Sequence, residues 1–165
     1  MERRITINAP AERVFELVNS PRQYIIWSPW FSKDPNVEIH FDDPVSGQGA
    51  TVLWSSEQRD VGSGSEIIVE SHQNRFIRTR LDFGAQTASA TFMLEATAEG
   101  TRVIWGLGGD CGGVLVCRYI GLLLDYMIGP DYETGLQNIK RLAENRASAN
   151  ATVETNTVAA ISSSN

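Results

Sequence analysis

Cysteine is scarce in this chain: only Cys111 and Cys117 occur, separated by a run that opens on a glycine pair. That spacing is neither a CxxC pair nor a Cys/His zinc set, so ordinary buried or half-buried thiols are expected and no metal site. Histidine is equally sparse. His40 alternates with Ile39 and Phe41, which on a strand turns it away from the core, and His72 falls in the turn "SHQN", so neither is placed to act as a base. A long hydrophobic run is missing as well. The longest apolar stretch, "GGVLVCRYIGLLLDYMIG", is interrupted by Arg118 and Asp125 well short of the ~20 residues that a membrane span needs. No secretory pattern precedes the first strand, so stable membrane insertion is not expected and a cytoplasmic setting is. Positive charge is also lacking: the net charge is −6 and the pI about 4.9, which argues against nucleic acid as a partner, because phosphate contacts need clustered Lys and Arg. The local exception, "RFIRTRL", puts Arg78 and Arg80 on one strand face, read as a solvated outer surface.

What is present describes an ordinary globular chain. Hydrophobic residues make up 42% and charged residues 21%, which excludes wholesale disorder and a fibrous architecture. "RRITINAP" alternates Ile5 and Ile7 with polar neighbours, a strand stopped by Pro10. In "APAERVFELVNS" the spacing of Val14, Leu17 and Val18 predicts a helix, and Pro21 and Pro29 frame a short second helix around "PRQYIIW".

From Val37 to Leu107 the pattern is nearly all strand, punctuated by "DDPVSGQG", "QRDVGSG", "SHQN", "GAQ" and "EGT", which predicts an antiparallel meander. Alternation assigns an inward face. It carries Ala50, Val52 and Trp54; then Ile67 and Val69; then Ile77, Thr79, Leu81 and Phe83. Ala90, Phe92 and Leu94, and finally Val103, Trp105 and Leu107, continue it. Such a sheet needs a covering layer. Residues 115–146 supply it as a long helix, expected to kink or break at "GPDYETG", with Leu136, Ile139, Leu142 and Ala143 as its apolar stripe. The polar, small-residue segment 147–165 is expected to be a disordered tail after one domain spanning 1–146.

At "INAPAERVFELVNSPRQYIIWSPW", "GTRVIWGLGG" and "GPDYETGLQNIKRLAE" the sequence resembles the START-like superfamily, in particular its polyketide cyclase/dehydrase-like branch of small bacterial proteins. The resemblance covers about residues 4–146. It implies an α+β helix-grip fold: a curved antiparallel sheet of about seven strands wrapped around a long C-terminal helix, with two short helices after the first strand. It also implies a hydrophobic or amphipathic small molecule, lipid- or polyketide-like, held in a cavity between sheet and helix.

The tryptophans of "WSPW" either fill the core or wall such a pocket. Taken as a pocket, the lining is expected from Trp27, Trp30, Trp54, Thr79, Leu81, Phe83, Phe92, Trp105, Leu107, Leu123 and Met127, with Tyr126 and Tyr132 as further polar candidates. A dry cavity of ~300 Å³ would cost roughly 7 kcal/mol, so water or a ligand should occupy it. For catalysis the sequence offers only two weak candidates, Asp110 and Asp125, either of which would become an acid of raised pKa if buried. The leading expectation is therefore a binding or transport protein without a cofactor. A cyclase/dehydratase using a buried carboxylate is one alternative and a co-chaperone-like interaction module another. "GLGGDCGG" superficially resembles a dinucleotide fingerprint, but Cys111 stands at its third glycine and no strand follows to complete a βαβ unit.

Overall fold

In the computed structural model, residues 1–84, 86–109 and 125–145 are described. Strand β1 (Glu2–Ile7) is followed by helices α1 (Ala11–Val18) and α2 (Pro21–Trp27) and a 3₁₀ turn at Phe31–Lys33. Six strands follow: β2 (Glu38–Asp42), β3 (Thr51–Ser55), β4 (Gly64–His72), β5 (Phe76–Asp82), β6 (Thr87–Thr97) and β7 (Gly100–Gly108). Helix α3 spans 125–145. The strands form one curved, open, antiparallel sheet in the order β1-β7-β6-β5-β4-β3-β2, so the chain meanders from β2 to β7 and β1 closes the far edge. This is the α+β helix-grip layout that the sequence predicts.

The two early helices are set by their prolines. Pro21 begins α2 at a position where the missing N–H is not needed. Pro29 forces Ser28 out of the helical region (φ −69°, ψ 126°), which ends α2 at Trp27. The indole then points inward, and its Nε1 donates to the Leu17 carbonyl at 2.8 Å, tying α2 to α1.

Helix α3 continues through Pro130 without the expected break. Its two glycines serve close approach rather than flexibility. A Cβ on Gly135 would lie 2.8 Å from the Trp105 ring, and one on Gly129 would lie 2.7 Å from the Arg3 guanidinium. The buried stripe Tyr132, Leu136, Ile139 and Ala143 packs into the same core as Ile7, Val103 and Trp105. Polar ties pin the helix along its length. Arg3 bridges Asp125 at 2.8 Å and Glu133 at 3.0 Å, Lys33 meets Asp131 at 2.8 Å, and Lys140 donates to the Thr6 carbonyl at 3.0 Å. Asn138 Nδ2 donates to the Trp27 carbonyl at 3.0 Å, so α3 holds α2 as well as the sheet.

One strand faces differently from its predicted alternation. In β4, Glu66 sits opposite Val52 and Leu81, and Ile68 opposite Thr79. Because cross-strand partners share a face, Glu66 and Ile68 point inward, whereas Ile67 pairs with the outward Arg80. "EIIVE" carries apolar residues at both parities, so its own pattern cannot choose a face; the neighbouring strands choose it, with a register shift between Ile68 and Glu70.

The outer face is polar as anticipated. Arg78 and Arg80 are exposed, with Arg78 paired to Glu70, and both His40 and His72 are exposed. Among the described residues no helix is long and apolar enough to cross a membrane. Asp110, Leu123, both cysteines and the segment 147–165 lie outside the described residues.

Candidate functional site

The tryptophans of "WSPW" bracket a third. Trp27 meets Trp105 edge-on at 5.3 Å and Trp30 meets it edge-on at 6.1 Å. Trp105 itself stacks on Phe92 at 5.0 Å and on Tyr132 at 3.8 Å. The rings form a continuous packed column from the sheet to α3, with Trp27 only 1% and Trp105 only 2% exposed. Trp30 is half-buried against the same column, and Trp54 packs separately against Phe31 and Phe83. At Trp105, then, the space between sheet and C-terminal helix is filled by side chains rather than by a cavity.

A cleft opens instead between α2 and the sheet. Tyr24 and Trp27 form its helical wall, and Val52, Glu66, Ile68, Thr79 and Phe92 its sheet wall. The atom-free space is about 310 Å³ with its open mouth included, but only about 20 Å³ of it admits the centre of a water molecule. That is room for a water or two, far below the ~300 Å³ at which pockets for drug-sized ligands begin.

Three polar groups face this small space. The Oε2 of Glu66 and the Oγ1 of Thr79 are buried and without a hydrogen-bond partner among the described residues, and the Tyr24 side chain lies alongside. Among the described residues no Lys, Arg or His lines the cleft. Burial therefore dominates: loss of solvent pushes the Glu66 carboxyl up to about 7, against a smaller opposing pull from the Thr79 and Tyr24 hydroxyls. Neither hydroxyl closes to hydrogen-bond geometry on Oε2. Burial, reinforced by Glu66, raises the Tyr24 phenol in turn, which stays protonated. A carboxyl, a phenol and a hydroxyl that all carry protons near neutral pH can donate to one acceptor, and the carboxyl can also release its proton.

The site residues predicted from sequence divide accordingly. Trp27, Thr79 and Phe92 line the cleft. Trp30, Trp54, Trp105 and Leu107 pack in or against the core, and Leu81 is half-buried next to Glu66 on the sheet. Phe83 and Met127 are 47% and 63% exposed and are not among the described residues that line this cleft. Phe83 follows the end of β5, where its N–H donates to the Gln86 carbonyl in the hairpin turn, so strand alternation no longer applies to it. Met127 and Tyr126 lie on the open side of α3, whereas Tyr132 is buried against Trp105.

Asp125 is a correction too. It is not an inward acid: its hydrogen bond to the Arg3 guanidinium holds its carboxyl below the usual range, the opposite of what a general acid needs. Glu66 and Tyr24 were missed. Glu66 would have been found by pairing "SEIIVES" with the strands beside it, and Tyr24 by placing it one helical turn before Ser28 on the face of Trp27.

Residues 1–144 match the family described as polyketide cyclase / dehydrase and lipid transport. The chain belongs to that family. No curated protein matches it. Solved structures of similar fold include a protein of unknown function from Staphylococcus aureus, 12% identical with a TM-score of 0.64, the match covering 90% of this chain and 94% of that one. A second is the di-domain ARO/CYC StfQ of the steffimycin biosynthetic pathway, 13% identical with a TM-score of 0.63, where 90% of this chain matches 52% of that one. A third is the Aha1 dimer of Colwellia psychrerythraea, 14% identical with a TM-score of 0.56, covering 87% and 95% of the two chains. At such identities the likeness is one of fold. As a member of this family the chain shares a scaffold used both for catalysis and for carrying lipids.

Proposed function

We propose that this protein binds a small hydrophobic or amphipathic molecule, lipid- or polyketide-like, in the cleft between α2 and the sheet. The observation that carries this reading is the pairing of an apolar wall with buried polar atoms that no described residue satisfies, Glu66 Oε2 and Thr79 Oγ1. A ligand with an apolar body and a polar end can meet both atoms in place of the one or two waters that the cleft admits. Anything larger than water enters only as α2 moves away from β3 and β4. That helix has seven residues, and two of its contacts, the Trp27 indole to Leu17 and the Trp27 carbonyl to Asn138, lie at its C-terminal end. The rest of the reading is one binding domain over 1–146 followed by the tail 147–165, in a cytoplasmic setting.

Native mass spectrometry of freshly purified protein, with organic extraction of whatever is released, tests this. The expected result is a stoichiometric apolar adduct that is lost when Val52→Phe fills the cleft in a variant with unchanged circular dichroism. A clean protein mass, with no shift in melting temperature across fatty acids, sterols and aromatic polyketides, would refute it.

A second reading has one specific observation behind it. A carboxyl titrating near 7 in a sheltered cleft matches what a general acid or base requires, so a cyclase- or dehydratase-type activity would rest on Glu66 rather than on Asp110 or Asp125. Loss of turnover in Glu66→Gln with ligand binding retained is its test.

A further inference from the structure

The inner end of the cleft has a chemistry of its own that narrows the ligand. Thr79 comes from β5, Glu66 from β4 and Tyr24 from α2, so three secondary-structure elements bring protonated oxygens to one apolar recess. Trp27, Phe92 and Ile68 complete that recess, with no cation among its described lining residues to neutralise a carboxylate ligand. A carboxylate placed there would give up its hydration with no cation among the described lining residues to replace it, and once Glu66 ionises it would also meet like charge. A neutral carbonyl oxygen, by contrast, has lone pairs for several donors and no charge to desolvate.

From this geometry we infer that Glu66, Thr79 and Tyr24 form a donor pocket for the carbonyl oxygen of a neutral apolar ligand, and that the cation-free lining disfavours carboxylates. The inference rests on the binding reading above and specifies its ligand class. Glu66 binds in its protonated form, donating from its carboxyl O–H. Among the described residues, the titratable groups facing it are Tyr24 from α2 and, further off, Tyr132 from α3, both with pKa values raised by burial and so neutral throughout the working range. The pH response of the pocket therefore belongs to Glu66. With that carboxyl at about 7, the binding-competent fraction drops about tenfold between roughly pH 6 and pH 8, and apparent affinity drops with it.

The test uses three probes on one skeleton, 2-acetylnaphthalene, 2-naphthoate and 2-naphthylmethylamine, titrated into the full chain by calorimetry at about pH 6 and pH 8. The expected result is the ketone bound at least about tenfold more tightly than the acid at the lower pH, weakening about tenfold at the higher. Glu66→Gln, whose amide still donates, should keep ketone binding and abolish its pH dependence. Glu66→Leu should lose the preference for the ketone. Circular dichroism confirms that each variant is folded, and Thr79→Val gives an independent loss at the same oxygen. Equal or tighter binding of the acid at the lower pH, tighter binding of the amine than of the ketone at the lower pH, or a pH dependence that survives in Glu66→Gln would overturn the donor pocket and leave the binding reading in place. No binding of any of the three, together with no extractable adduct, would overturn both.

Discussion

Glu66→Gln gives the most direct access to the cleft, because its effect on stability has a shape as well as a size. Below the ordinary carboxyl value of 4.5, folded and unfolded chains both hold the proton, and burial of the acid imposes no electrostatic penalty. As pH rises from 4.5 towards 7, the unfolded chain ionises while the folded chain keeps its proton, so folding stability falls. Above 7 both are ionised and the loss levels off. At about 1.4 kcal/mol per pH unit, a gap of this width amounts to about 3 kcal/mol. For a domain of this size that corresponds to roughly 6–12 °C in melting temperature.

Glutamine has no such proton. Its amide gains or loses hydrogen bonds equally at every pH, which moves the whole curve without tilting it. Thermal melts of both proteins in matched buffers from pH 4 to pH 9 therefore isolate the carboxyl, since every other titrating group cancels in the difference. The difference should grow in favour of Glu66→Gln between about pH 5 and pH 7.5 and then run flat. A difference that stays constant within about 1 kcal/mol across that range would show that Glu66 is solvated and that β4 does not face inward as described.

Other outcomes follow from single contacts. Gly135→Ala forces a methyl group onto the Trp105 ring, so denaturant melts should show a loss of about 1–3 kcal/mol even though alanine is the better helix former. Trp105→Ala removes the centre of the aromatic column and should cost about 3–5 kcal/mol by the same assay. Thr79→Val replaces an unsatisfied buried hydroxyl with a methyl group and should leave stability unchanged or raise it by up to about 2 kcal/mol, while weakening any ligand that uses the oxygen. Asp125→Asn should leave ligand affinity unchanged within about twofold, because the carboxylate pairs with Arg3 outside the cleft.

The corrections share a physical origin. Alternation identifies an inward face only where polar and apolar residues truly alternate, as in "TVLWS" and "FIRTRLD", and those strands face as their sequence says. "EIIVE" does not alternate, so only its pairing with β3 and β5 turns Glu66 inward. Asp125 fails as a buried acid because Arg3, more than a hundred residues earlier in the chain, reaches it from β1. Gly135 reads as a helix breaker in one dimension and as room for an indole in three.

By itself the sequence determined the order of elements, the meander, the proline-framed α2 and the amphipathic face of the last helix. All of these follow from short-range sterics and from burying one face of each element. Tertiary structure alone decided that Trp27, Trp30 and Trp105 fill the space under α3, that the cleft lies under α2, and that Glu66 rather than Asp125 faces it. Those outcomes depend on which distant side chains share a volume, and on the loss of solvent there, which no local pattern encodes.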